Sequence, residues 1–120
     1  MAAALASGAR IVTFDELDST SAEARRRIEG GAPASFWILA RRQTAGYGRR
    51  GAAWSHAEGD FAATFATRAE TGADRVGEWS FVAALAVLDA VRRFAPRAEL
   101  SLKWPNDLLA AGAKLSGLLL

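Results

Sequence analysis

The chain has 120 residues, 51% of them hydrophobic and 23% charged, with a formal net charge of +2 and no cysteine. That length suits one domain or part of one, and the absence of thiols excludes a disulfide framework, a thiolate metal site and a cysteine nucleophile. No apolar run approaches the ~20 residues of a membrane span, and the apolar residues 1–6 lack the charged start of a secretion signal, so the expected setting is cytoplasmic.

Residues 1–10 read as a loose N-terminus. Ile11-Val12-Thr13-Phe14 predicts a first strand, followed by a polar turn over residues 15–18. Thr20-Ser21-Ala22-Glu23 has the form of a capping box, which starts a helix over residues 21–29 that Gly30-Gly31 ends. Phe36-Trp37-Ile38-Leu39-Ala40 is aromatic and apolar enough for a buried strand. A glycine- and arginine-rich loop covers residues 41–53, and residues 61–67 alternate bulky and small side chains as a strand does.

The strongest periodic signal follows. Trp79, Val82, Ala86, Val87, Ala90 and Phe94 recur at helical spacing, with Phe81, Leu85 and Leu88 widening the stripe. A face this wide predicts a helix packed deep against a sheet, ending at Pro96. Residues 100–103 form a strand that Pro105-Asn106-Asp107 breaks. Residues 108–109 and 114–120 then make a hairpin across 110–113. The last of these strands stops with no polar cap and nothing to pair with, which predicts further sequence beyond it.

Three segments could carry chemistry. In Gln43-Thr44-Ala45-Gly46-Tyr47-Gly48-Arg49-Arg50-Gly51 the glycines satisfy G-x-G-x-x-G, but they neither follow a strand directly nor open a helix, as dinucleotide binding requires. Physically this is a loop of bare N–H groups and two guanidinium forks, suited to an anion; a plain solvated loop is the alternative. Asp18-Ser19-Thr20-Ser21 could cap a helix or bind a small polar ligand there. Lys103-Trp104-Pro105-Asn106-Asp107, with Lys114 beyond it, reads by itself as turn chemistry. Of the fifteen lysines and arginines only Lys103 and Lys114 are lysine, and both fall in this segment.

Taken together and in this order, these segments resemble the biotin protein ligases over residues 11–120. The G-x-G-R-R-G loop, K-W-P-N-D and Lys114-Leu115-Ser116-Gly117 carry the resemblance. It implies an α/β (α+β) fold with a mixed, largely antiparallel sheet and packed helices, here the N-terminal portion of a catalytic domain. It also implies the use of ATP with Mg²⁺ to convert biotin to biotinyl-5′-adenylate. Biotin then passes to a lysine of the carrier domain of a biotin-dependent carboxylase.

Adenylation brings a carboxylate to an α-phosphate. At ~4 Å and an effective dielectric of about 20, their repulsion is about 4 kcal/mol, which cations must offset. By resemblance Arg49 and Lys114 are those cations and the catalytic residues. Ser19, Thr20, Ser21, Gln43, Gly46, Tyr47, Gly48, Arg49 and Lys114 bind biotin, with Ser19, Thr20 and Gln43 on the ureido ring. Arg49, Arg50, Gly51, Trp54, Asn106 and Asp107 lie on the nucleotide side, while Mg²⁺ arrives with ATP and has no protein ligand set assigned.

Tyr47 stands where many members have arginine, and Ser21 where asparagine is common. The lone His56 receives no role, as a solvated loop histidine. No helix-turn-helix precedes Ile11, so a repressor function is not expected. Nucleic acid is not an expected partner either, since no aromatic–basic pattern or recognition helix appears; a homodimer stays open. Two other readings remain: a lipoate ligase or octanoyltransferase relative, and a truncated module that binds biotin or a partner without turnover.

Overall fold

The computed structural model describes residues 2–4, 7–33 and 35–120. The described chain is of mixed α and β structure and falls into two compact units, Met1–Arg68 and Ala69–Leu120.

The first unit is a four-stranded sheet in the order β1 (Ala2–Ala4), β2 (Arg10–Leu17), β3 (Phe36–Gln43), β4 (Ala62–Ala66), crossed by helix α1 (Thr20–Glu29). The loose N-terminus falls partly on residues 1, 5 and 6, which lie outside the described residues; Ala2–Ala4 pair antiparallel with β2. Strands β2 and β3 are parallel, and β3 and β4 antiparallel. A parallel pair needs a crossover, which α1 supplies.

The turn expected over residues 15–18 is not there. Strand β2 continues to Leu17, which lies opposite Gln43, because pairing with β3 outweighs the polar composition of these residues. Arg42 Nη1 meets Glu16 Oε2 at 3.0 Å across the two strands. Strand β3 is likewise longer than expected, while β4 is shorter at both ends.

Alternation along β3 buries Phe36, Ile38 and Ala40 on one face. There Ala24 of α1, Phe36, Ile38 and Ala66 form the core, with Val12, Phe14 and Ala32 packed against it. On the other face the Trp37 and Phe65 rings stack with centroids 4.8 Å apart. Helix α1 ends as its glycines predict. Gly31 N donates to Ile28 O and Ala32 N to Arg27 O, with Gly31 at φ +82°, a Schellman closure that favours glycine.

The second unit holds α2 (Trp79–Phe94) and an antiparallel meander of β5 (Leu100–Lys103), β6 (Asp107–Ala110) and β7 (Ala113–Gly117). The β6–β7 turn, Ala111-Gly112, has φ +47° and +79°, the mirror-image geometry that suits a two-residue hairpin. Residues 118–120 lie outside β7.

Helix α2 matches its expected span but not its expected burial. Only Ala84 and Leu88 are buried, while Phe81, Val82 and Leu85 are 53–55% exposed. Its stripe is wider than the three short strands of its own unit can cover. Leu108, fully buried, is the anchor of this unit.

Candidate active site

Parallel pairing brings the C-terminal ends of β2 and β3 side by side, so two segments leave the sheet together. One is Asp18-Ser19 leading into α1; the other is the loop after Gln43. They are stitched at once: Thr44 N donates to Leu17 O (2.9 Å) and Ala45 N to Asp18 O (2.8 Å). In open α/β sheets, ligands bind beyond such strand ends.

Ser19 and Thr20 are each only 4% exposed, so their polar groups need partners. Ser19, extended at φ −158°, is the helix cap, its Oγ accepting from Ala22 N at 3.4 Å. The expected capping box is therefore displaced by one residue. With Ser19 as cap, the position that could reach back is Ala22, which has no side chain to do so, and Glu23 pairs with Arg26 and Arg27 instead.

Freed from capping, Thr20 turns to β3. Its N–H and its Oγ1 both donate to Gln43 Oε1, at 2.8 and 3.0 Å. A backbone N–H can only donate, so the amide orientation of Gln43 is settled: Oε1 faces Thr20. Thr64 Oγ1 of β4 donates to Thr20 Oγ1 at 2.9 Å, and Ser21 Oγ lies 3.1 Å from Thr64 Oγ1. Thr64 has spent its one proton, so Ser21 is the donor. A directed line Ser21→Thr64→Thr20→Gln43 results, in which each bond polarises the next. Thr64 was missed in the sequence; its hydroxyl partners are 43 and 44 residues away, and nothing local marks it.

Gly46 is needed beside this line. A Cβ there would sit 2.8 Å from Gln43 Nε2, so any other residue would displace the amide. From Gly46 the loop folds back on itself: Trp54 N donates to Gly46 O (2.9 Å), Gly48 N to Ala52 O (2.7 Å), and Tyr47 bridges Ala53. Arg49, Arg50 and Gly51 form the tip, Arg50 at φ +57° and Gly51 at +73°. Both arginines are exposed. Trp54 lies beneath, its Cε3 3.8 Å from where a Gly48 side chain would begin.

His56 is not a solvated loop residue. It is half-buried, and its Nε2 lies 2.8 Å from Arg41 O, which requires Nε2 to carry the proton. This bond ties the far end of the loop to β3.

Asp18 anchors the near end. Arg26 Nη1 and Nη2 donate to its two carboxylate oxygens, both at 2.8 Å, and Ser19 N donates to Oδ1 at 2.7 Å. The Arg26 fork, helped by Ser19, holds the Asp18 carboxyl well below the usual carboxylate range and raises Arg26 in turn. Partial burial pushes the Glu23 carboxyl up, but bonds from Arg27 and Arg26 outweigh it and leave it lowered.

The remaining expected residues belong to the second unit. Asp107 begins β6 and Lys114 lies opposite Leu109 on β7, so the two occupy diagonal positions on one face. Lys114 Nζ comes to 2.9 Å from Asp107 Oδ1. The pair is ionic, and Asp107 Oδ1 is shut off from solvent. Asn106 Nδ2 donates to Leu118 O (2.7 Å) and Leu118 N to Asn106 O (2.8 Å), clamping the turn that carries Asp107. No group of three His, Cys, Asp or Glu able to hold a metal ion occurs among the described residues.

A family model, described as biotin/lipoate A/B protein ligase, matches residues 14–120. The chain belongs to that family. Biotin–[acetyl-CoA-carboxylase] ligase of Paracoccus denitrificans is 48% identical over 104 residues, covering 86% of this chain and 43% of the relative. The ligase of the same description from Mycobacterium tuberculosis is 41% identical, covering 84% and 40%. Among solved structures, biotin protein ligase from Aquifex aeolicus in complex with biotin and ATP superposes with a TM-score of 0.75 at 30% identity, covering 91% of this chain and 45% of that one. The chain thus spans less than half the length of these two curated relatives.

Proposed function

We propose that this member of the biotin/lipoate ligase family serves biotin–[acetyl-CoA-carboxylase] ligation. In the first step a biotin carboxylate oxygen attacks the α-phosphorus of ATP, and the bond to pyrophosphate breaks. In the second a carrier-domain lysine, as the free amine, attacks the acyl carbon of biotinyl-5′-adenylate; AMP leaves and the new amide nitrogen loses a proton.

The observation that carries this reading is the Ser21→Thr64→Thr20→Gln43 line with Ser19 beside it. Biotin's ureido ring has one carbonyl and two N–H groups, and matches a cradle of hydroxyls and an amide. A lipoyl dithiolane has no such groups and could form none of these hydrogen bonds. That contrast favours biotin over lipoate, as do the descriptions of the similar ligases.

Each remaining residue has a role in this proposal. The Arg49–Arg50 tip offers guanidinium forks to phosphate. The folded-back loop excludes water from a hydrolysable adenylate. Trp54 supplies an aromatic face, and Lys114 a cation for the charge that builds up on phosphate. Mg²⁺ would come held by the ATP phosphates, with the Asp107 carboxylate the one acidic group of the motif able to meet it; when bound it neutralises phosphate charge.

The test is biotin-dependent exchange of labelled pyrophosphate into ATP by the chain, alongside calorimetric titration with biotin. Exchange supports the ligase. Biotin binding without exchange points to a binding module, and absence of both with the chain folded removes the biotin reading.

A further inference from the structure

Arg26 belongs to no motif, yet it holds Asp18, which stands at the start of the first unit's polar cradle. It sits in the second turn of α1, on the helix that Ser19 caps. Its guanidinium fork grips both Asp18 oxygens, and its Nε donates to Glu23 Oε2 at 3.0 Å. Asp18 is a junction with two arms. Its carboxylate accepts from Ser19 N, holding the helix cap, and its carbonyl accepts from Ala45 N, holding the first step of the glycine–arginine loop. Thr20, two residues on, carries the Gln43 contact.

We propose that Arg26 is a positioning residue for biotin binding, acting through Asp18 to set the helix cap and the start of the loop against each other. The proposal rests on the biotin reading of this cradle. Surface ion pairs usually contribute little, because two long side chains must be ordered in water. This pair differs in that it is two-pronged, and Arg26 is itself braced by Glu23, which Arg27 Nε also holds at 2.8 Å. A planar fork with both prongs engaged fixes the orientation of the carboxylate plane as well as its distance. Oδ1 accepts from Ser19 N, and that N–H shares one planar peptide unit with the Asp18 carbonyl, so a held carboxylate restrains both groups.

The alternative role for Arg26 is plain helix stabilisation through its i,i+3 contact with Glu23. Two variants separate the roles. Glu23→Gln weakens the helical pairs and leaves the Asp18 fork in place. Arg26→Lys keeps the charge and the helix propensity but can present only a point charge to Asp18.

The experiment uses the isotopically labelled 120-residue chain, reading amide hydrogen exchange at Ala45 and Thr44 by NMR and biotin affinity by calorimetry. In Arg26→Ala the Ala45 amide should exchange faster and biotin should bind about fivefold more weakly. Arg26→Lys should recover only part of both, and Glu23→Gln should change neither by as much. Full recovery with lysine, an equal effect from Glu23→Gln, or unchanged Ala45 exchange in Arg26→Ala would each overturn the proposal. If the wild-type chain takes up no biotin, the biotin reading fails, and exchange at Ala45 still decides whether Arg26 positions the loop.

Discussion

At the scale of single residues, the first unit's cradle depends on where each proton goes. Thr64→Val is nearly isosteric but removes the middle of the hydroxyl line. It leaves Ser21 without its acceptor and Thr20 Oγ1 without its donor. Leaving a mostly buried hydroxyl underserved costs about 1–3 kcal/mol. A lower Tm and weaker biotin binding in calorimetry are the expected outcome; unchanged values for both would show that the line is incidental. In the second unit, Lys114→Ala strips the cation from beside a carboxylate oxygen that is shut off from solvent. If Lys114 serves adenylation, pyrophosphate exchange should fall by a factor of about 10²–10³, the usual cost of one transition-state donor. Exchange within tenfold of wild type would remove Lys114 from the chemistry.

Legibility at this scale divides by distance along the chain. Ser19, Thr20, Gln43 and the G-x-G-R-R-G loop stood out because each lies in a short segment of unusual composition. Thr64 did not, since a threonine in a strand is ordinary and its partners come from α1. His56 likewise looked idle until its bond to Arg41 O closed the loop.

At the scale of elements, hydrophobic period and glycine punctuation located α1, α2 and β3 within a few residues. The errors came where tertiary pairing outweighed local chemistry. Asp15 and Asp18 resemble a turn, yet β2 runs on because β3 offers it a parallel partner. The helix cap moved from Thr20 to Ser19 because Gln43 claims the threonine. The Asp18–Arg26 fork at this helix start also sets a pH dependence. Asp18 is lowered in the folded chain, so its contribution is fully present above the unfolded value, about 3.9 for aspartate. It is lost as pH falls through the folded value, below the ordinary carboxylate range. The Tm gap between wild type and Arg26→Ala should therefore hold steady from neutral pH to about pH 5 and narrow only under stronger acid. A gap that closes already at pH 6 would contradict the fork.

At the scale of the whole molecule, the buried apolar residues are divided between two compact units. The mixed, largely antiparallel fold was legible from the sequence and its family resemblance; the division into two sheets was not, since strand patterning does not say which strands pair. Ile38 and Leu108 are the largest fully buried side chains among the described residues, one in each unit. Leu108→Ala should cost about 2–5 kcal/mol, with faster hydrogen exchange along β5–β7, the strands of its own core. Protection in β5–β7 equal to wild type would mean the second core is anchored elsewhere.

The open face of α2 has a consequence for thermodynamics. Phe81, Val82 and Leu85 remain more than half exposed and Phe94 is 91% exposed in the folded chain. Water already surrounds these side chains before unfolding begins, so melting adds little to their hydration. The heat capacity change of unfolding tracks newly hydrated apolar surface, and for most proteins is about 12–15 cal/mol/K per residue. For this chain, scanning calorimetry should give a smaller value per residue and a correspondingly flatter curve of stability against temperature. A heat capacity change in the ordinary range would mean that the stripe is covered in solution.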